Sequence, residues 1–209
     1  MGIDPASPGC DAFYAALARL DLPLITHGGM ERAVNTDNQE LGNPLLLRRA
    51  LEHGVRVVVA PCASMGEDRD LDRGAHGPVV ASFELFTRLM DDPRFEGRLF
   101  GDVSAITQLN RAGPALAAIV ERSEWQARLL NGSDYPLLGI MPLYSLNYLV
   151  ERKYIEPAMA PLLTEIRQHN PLLFDFVLKR NLQVNGKRLA PAVFETRAFF
   201  TRGESRAAA

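Results

Sequence analysis

Two residues combine a type and a setting that could do chemistry, His27 and Asp134. His27 closes the apolar run Leu22-Pro23-Leu24-Ile25-Thr26 and is followed by Gly28-Gly29. An imidazole at a strand end can ligate a divalent metal or shuttle a proton. The plainer alternative is a polar histidine bonded to nearby backbone. Asp134 closes Leu129-Leu130-Asn131-Gly132-Ser133 and precedes Tyr135-Pro136. A carboxylate there can bind a metal and take a proton from metal-bound water, or it can cap a Gly/Pro turn. Four more residues are candidates for supporting roles. Glu31 lies close enough in sequence to His27 to orient it as a hydrogen-bond acceptor. Cys62 follows the apolar run Val55-Arg56-Val57-Val58-Val59-Ala60. Asp102 and Ser104 stand two apart in a third apolar run, which puts them on one face of an extended strand; packing is the plainer role for both.

The other histidines carry less. His53 sits at a helix end, where the dipole favours it without any function. His76 falls in a surface loop, and His169 just before a helix start. The acidic run Glu67-Asp68-Arg69-Asp70-Leu71-Asp72 mixes signs and lacks cation-ligand spacing, so it reads as a solvated loop.

The elements that must position these residues follow from the apolar pattern. Four short runs read as buried parallel strands: 22–29, 55–62, 98–106 and 128–136. Helical spacing is predicted at 10–20, then from Asn43-Pro44 to Gly54, at 79–91 and around 114–122. Asn43-Pro44 and Asn170-Pro171 each pair an N-cap with proline at the first helical position, and Gly54 is a stop signal. Beyond the fourth run come only helices, 142–152, 157–168 and 170–180, then a weakly structured stretch over 183–200. Residues 28–42 and 62–78 read as long polar loops, and residues 1–9 and 201–209 as loop and tail. Strands alternating with helices predict an α/β fold with a parallel sheet, whose working face is where strands end in loops. The expected organisation is one domain over residues 1–209.

Composition narrows the class of partner. A net charge of −2 with scattered basic residues argues against a nucleic-acid surface. No apolar stretch approaches a membrane span, and no leader pattern opens the chain. Two cysteines in no motif suit reduced thiols in the cytoplasm. There is no G-x-G-x-x-G, no P-loop and no G-x-S-x-G elbow, so dinucleotide, P-loop and serine-hydrolase chemistries lack their signatures.

The phrases Leu-Ile-Thr-His27-Gly-Gly, Val-Val-Val-Ala-Pro61-Cys-Ala-Ser, Leu-Phe-Gly-Asp102-Val-Ser-Ala and Leu-Leu-Asn-Gly-Ser-Asp134-Tyr-Pro, in that order, resemble the amidohydrolase superfamily, in particular its amidohydrolase-related branch. The resemblance spans residues 3–180 and implies a (β/α) barrel of TIM type, of which this chain holds the last four βα units, a half-barrel, plus C-terminal helices. It implies a metal-dependent hydrolase in which metal-activated water attacks a carbonyl-type carbon of a small-molecule substrate. His27 and Asp134 become metal ligands, zinc being the expected metal, and Asp134 also handles the proton of the attacking water. Decarboxylases of the same branch are an alternative chemistry, and a non-catalytic binding subunit is an alternative role. Two departures matter. The His-x-His pair that opens such barrels is absent, and Pro61 stands where a histidine is expected. A hydrolytic zinc needs three or four protein ligands and an open position, so the expectation is a truncated, impaired hydrolase. Its open strand edges predict self-association or pairing with a missing N-terminal half.

Overall fold

A computed structural model describes residues 2–30 and 38–201. The chain divides into two compact units, residues 1–102 with 195–209, and residues 103–194.

The first unit is built on three parallel strands. After helix α1 (Asp11–Arg19) come β1 (Leu24–His27), helix α2 (Arg48–Glu52) and β2 (Val57–Ala60). A hairpin of β3 (Glu67–Arg69) and β4 (Val79–Ala81) then leads into α3 (Ser82–Met90), and β5 (Leu99–Asp102) is the last strand of this unit. β2 is central, with β1 and β5 parallel on either side. Leu24, Ile25, Thr26 and His27 face Val57, Val58, Val59 and Ala60 in register. Val57, Val58 and Val59 are fully or almost fully buried, as a central parallel strand requires. β1 departs from the expectation of four buried strands. Ile25 is 57% exposed, and no other β1 residue is fully buried. The reason is position: β1 is the last strand in the order, so one of its edges has no strand neighbour among the described residues. The core beneath the sheet comes from Leu51, Leu85, Phe86, Leu89 and Met90, on the inner faces of α2 and α3. Asn43 caps as the sequence predicts, its side chain accepting from Leu45 N–H, although the first turn is 3-10 before α2 begins.

The second unit opens with irregular turns and then α4 (Pro114–Glu121). β6 (Leu129–Leu130) follows a 3-10 segment, and Leu130 O accepts from Val103 N–H at 2.8 Å. The predicted fourth strand, 128–136, is therefore only two residues long. Its remainder is the Gly132-Ser133-Asp134 turn, where glycine, proline and a left-handed Asp134 (φ 58°) break extension. Helices α5 (Leu146–Glu151), α6 (Met159–His169) and α7 (Pro171–Asn181) complete the unit, with Asn170 capping α7 through Leu173 N–H as predicted. Trp125, Phe174 and Leu178 are fully buried. The stretch after α7 is better held than its sequence suggests: Leu182, Val184, Leu189 and Val193 are all buried. The chain returns to the first unit in α8 (Arg197–Phe200), where Phe199 stacks edge-on against Phe100 and carries the Arg56 guanidinium 4.7 Å from its ring centre.

The loop predicted over 62–78 is a correction. Its acidic run forms the β3–β4 hairpin, held by charge. Asp70, only 2% exposed, takes a two-pronged hydrogen bond from Arg88 of α3 at 2.7 and 3.0 Å. Asp72 accepts from the same Arg88 and from Arg48 of α2. Asp70 and Asp72 of the run thus form the acidic half of an ion-pair network whose cations, Arg48 and Arg88, come from α2 and α3.

Candidate functional site

His27 stands at the C-terminal end of β1, opposite Ala60 in register, so Pro61 follows at the same rim of the sheet. The local backbone explains the glycines. A Cβ on Gly28 would lie 2.5 Å from Val59 Cγ1, and one on Gly29 would lie 2.4 Å from Met65 O. Gly29 also has φ 78°, so any side chain there would be strained as well as crowded. The chain leaving β1 thus passes tightly over the turn that leaves β2. That turn runs through a cis Ala60–Pro61 peptide and the left-handed residues Cys62 and Ala63. Cys62 is fully buried, and its thiol donates to Asp102 O at 3.1 Å, tying the ends of β2 and β5 together. Asp102 ends β5 half-buried. Ser104 is buried two residues later, in a turn that belongs to the second unit, so the two do not share a strand face. Glu31 lies outside the described residues.

One residue at this end of the first unit is unexpected. Asp68 of β3 is 8% exposed, and its Oδ2 meets no hydrogen-bond donor among the described residues. Burial raises its pKa above the ordinary carboxylate value, while the Ser82 hydroxyl works in the opposite direction. Ser82 is itself buried at the start of α3, its Cβ 3.3 Å from where a Gly29 side chain would begin. No sequence signal separates Asp68 from its exposed neighbours, because the run around it is uniformly charged.

Asp134 belongs to the second unit, where a polar cluster surrounds its turn. Gln108 Nε2 donates to Asp134 Oδ2 at 3.3 Å. Leu137 N–H donates to the main-chain oxygen of Asp134 at 2.9 Å and closes the turn. Gln108 is 5% exposed and Tyr144 is 6% exposed. Burial pushes the Tyr144 phenol up to about 12, with Gln108 opposing, so near neutrality it stays a protonated donor. Arg167 lies between the rings of Tyr144 and Phe174, 5.0 and 5.1 Å from their centres, and donates to Ile140 O at 3.0 Å. Desolvation lowers its pKa. From α7, the fully buried Lys179 donates to Gly132 O at 2.7 Å and to Asp175 Oδ2 at 2.7 Å. The carbonyl two residues before Asp134 is thereby fixed by a buried ion pair. Sequence reading missed Gln108, Tyr144, Arg167, Asp175 and Lys179. The one available signal was Asp175 and Lys179, spaced i,i+4 in α7.

A metal centre needs three or four convergent ligands. Among the described residues, no group of three or more His, Cys, Asp or Glu side chains is placed to hold a metal ion. The described residues alone do not fit a self-contained zinc site. Among them, too, no helix is long and apolar enough to cross a membrane. No family model matches the chain, and neither a curated protein nor a solved structure matches it.

Proposed function

We propose that this chain is an amidohydrolase-related protein with an incomplete, impaired catalytic end. The reading takes its parallel strands as part of a TIM-type barrel and its habitat as the cytoplasm. The observation that supports it is the rim formed by β1 and β2: His27 stands at the C-terminal end of its strand, and Pro61 follows its register partner Ala60. Chemistry in parallel α/β folds gathers at that end. Proline there has no side-chain lone pair, so it can neither ligate a metal nor move a proton. Under this reading His27 retains the role of metal ligand. Asp134 retains that of ligand and proton acceptor, with Gln108 holding one of its oxygens. Cys62 and Asp102 keep the rim in shape through their hydrogen bond. A bound zinc would supply a water of lowered pKa, but two ligands fall short of the three or four that such an ion requires.

The substrate class implied is a small molecule with a carbonyl-type electrophilic carbon. A panel of activated esters and lactones, assayed with added zinc, tests the reading. The expected result is turnover no faster than buffer, unchanged by Asp134→Asn. Turnover that Asp134→Asn abolishes would mean that the chain is a complete enzyme.

A further inference from the structure

The second unit contains a cavity of about 290 Å³ lined by Arg152, Lys153, Tyr154, Gln183, Val184, Asn185 and Gly186. It is an open depression: Arg152, Lys153, Asn185 and Gly186 are all exposed. Its charged lining is entirely basic. Among the described residues neither Arg152 nor Lys153 pairs with a carboxylate; Arg152 lies over the ring of Tyr148, 5.3 Å from its centre. Two carboxylates hydrogen-bond to the lining amides and keep their charge, so the cations must outweigh them at the cavity. Gln183 Nε2 donates to Glu156 Oε1 at 2.5 Å, and Asn185 Nδ2 donates to Glu121 Oε1 at 2.6 Å.

The lining residues Val184, Asn185 and Gly186 belong to the turn Val184–Lys187, closed by backbone hydrogen bonds in both directions. Its central residues, Asn185 (φ 48°) and Gly186 (φ 77°), are both left-handed. Among the described residues their backbone N–H groups donate to no backbone acceptor. The cavity thus brings together a guanidinium, an ammonium and two open backbone donors. Cations near the end of α5 also suit the helix dipole, and that role alone would account for one charge beside the last turn. It does not account for a cavity lined by both cations and a turn with open donors.

We propose that this cavity binds a small phosphate-bearing molecule, its phosphate held by Arg152 and Lys153 against the Asn185-Gly186 turn. A guanidinium fork and a compact ammonium together suit a tetrahedral dianion better than a single carboxylate. Tyr154 supplies an apolar wall for the rest of the ligand, its hydroxyl being directed to Gly113 O at 3.5 Å. The site is independent of the hydrolase reading and uses none of its residues.

Titration of the ¹⁵N-labelled full chain with inorganic phosphate tests it, followed through the amide signals of 152–154 and 183–186. Saturable shifts confined to those residues are expected, with affinity falling at least about tenfold in Arg152→Ala/Lys153→Ala, the loss of roughly one charge-assisted contact. Arg188→Ala, an exposed charge outside the lining, should leave affinity unchanged. Sodium acetate at the same ionic strength separates a phosphate site from a general carboxylate site, and equal binding of both would overturn the phosphate assignment. Shifts spread over all basic surfaces, or unaltered binding in the double variant with a native spectrum, would overturn the site itself.

Discussion

Asp68 is a carboxylate in a place that disfavours its charge. Because burial raises its pKa, the folded state holds that proton more tightly than the unfolded chain does. Its contribution is therefore full below the ordinary carboxylate value and is lost as pH rises through the raised one. Asp68→Asn should raise the denaturation midpoint near neutral pH and match the native chain in acid, about pH 3. Urea melts at the two pH values read this out, and a penalty at neutral pH would mean that the charged form is needed. Lys179 presents the opposite case, a buried charge fully engaged by Asp175 and by the Gly132 carbonyl. Lys179→Met removes the ion-pair partner of the buried Asp175 and should cost about 3–5 kcal/mol, whereas pairing it with Asp175→Leu should restore much of the loss. Denaturant midpoints of the single and double variants decide whether the pair acts as a unit. At this scale the sequence showed the residue types at His27 and Asp134 and the place of His27 at a strand end, whereas Asp134 lies in the turn beyond β6. It did not show the cluster around Asp134, because Gln108, Tyr144 and Arg167 reach it from separate turns and helices.

The β3–β4 hairpin is held to α3 and α2 by Arg88, Arg48, Asp70 and Asp72. Their hydrogen bonds hold Asp70 and Asp72 below the usual carboxylate range, Arg88 being the chief cause for the first and Arg48 for the second. The network is therefore intact above the ordinary carboxylate pKa of about 4 and weakens as pH falls through the depressed values. Arg88→Gln should lower the melting temperature by several degrees at neutral pH, with the deficit shrinking in strong acid. It should also speed hydrogen exchange in 67–81 while leaving α7 unchanged. This element shows where sequence patterning stops. β1, β2 and β5 were legible as apolar runs, and the starts at Asn43 and Asn170 as caps. β3 was not, since Glu67-Asp68-Arg69 carries no apolar alternation and is extended by antiparallel pairing with β4. β6 was overread because its apolar residues run straight into a turn.

For the whole molecule, the outer edge of β1 has no strand beside it among the described residues, and Ile25 is 57% exposed there. Open edges recruit other chains, so light scattering at micromolar concentration should report species larger than one chain, reduced by Ile25→Lys. A compact monomer in both would remove the edge as an association site. Under the proposed amidohydrolase reading, no self-sufficient metal centre forms among the described residues, and Pro61 stands at the same rim as His27. Calorimetric titration of the full chain and of Pro61→His with zinc tests it most directly. Binding weaker than micromolar is expected in both, because one added imidazole beside His27 still leaves the site short of ligands. Stoichiometric binding at micromolar affinity or tighter in the native chain, lost in His27→Ala and in Asp134→Asn, would contradict it.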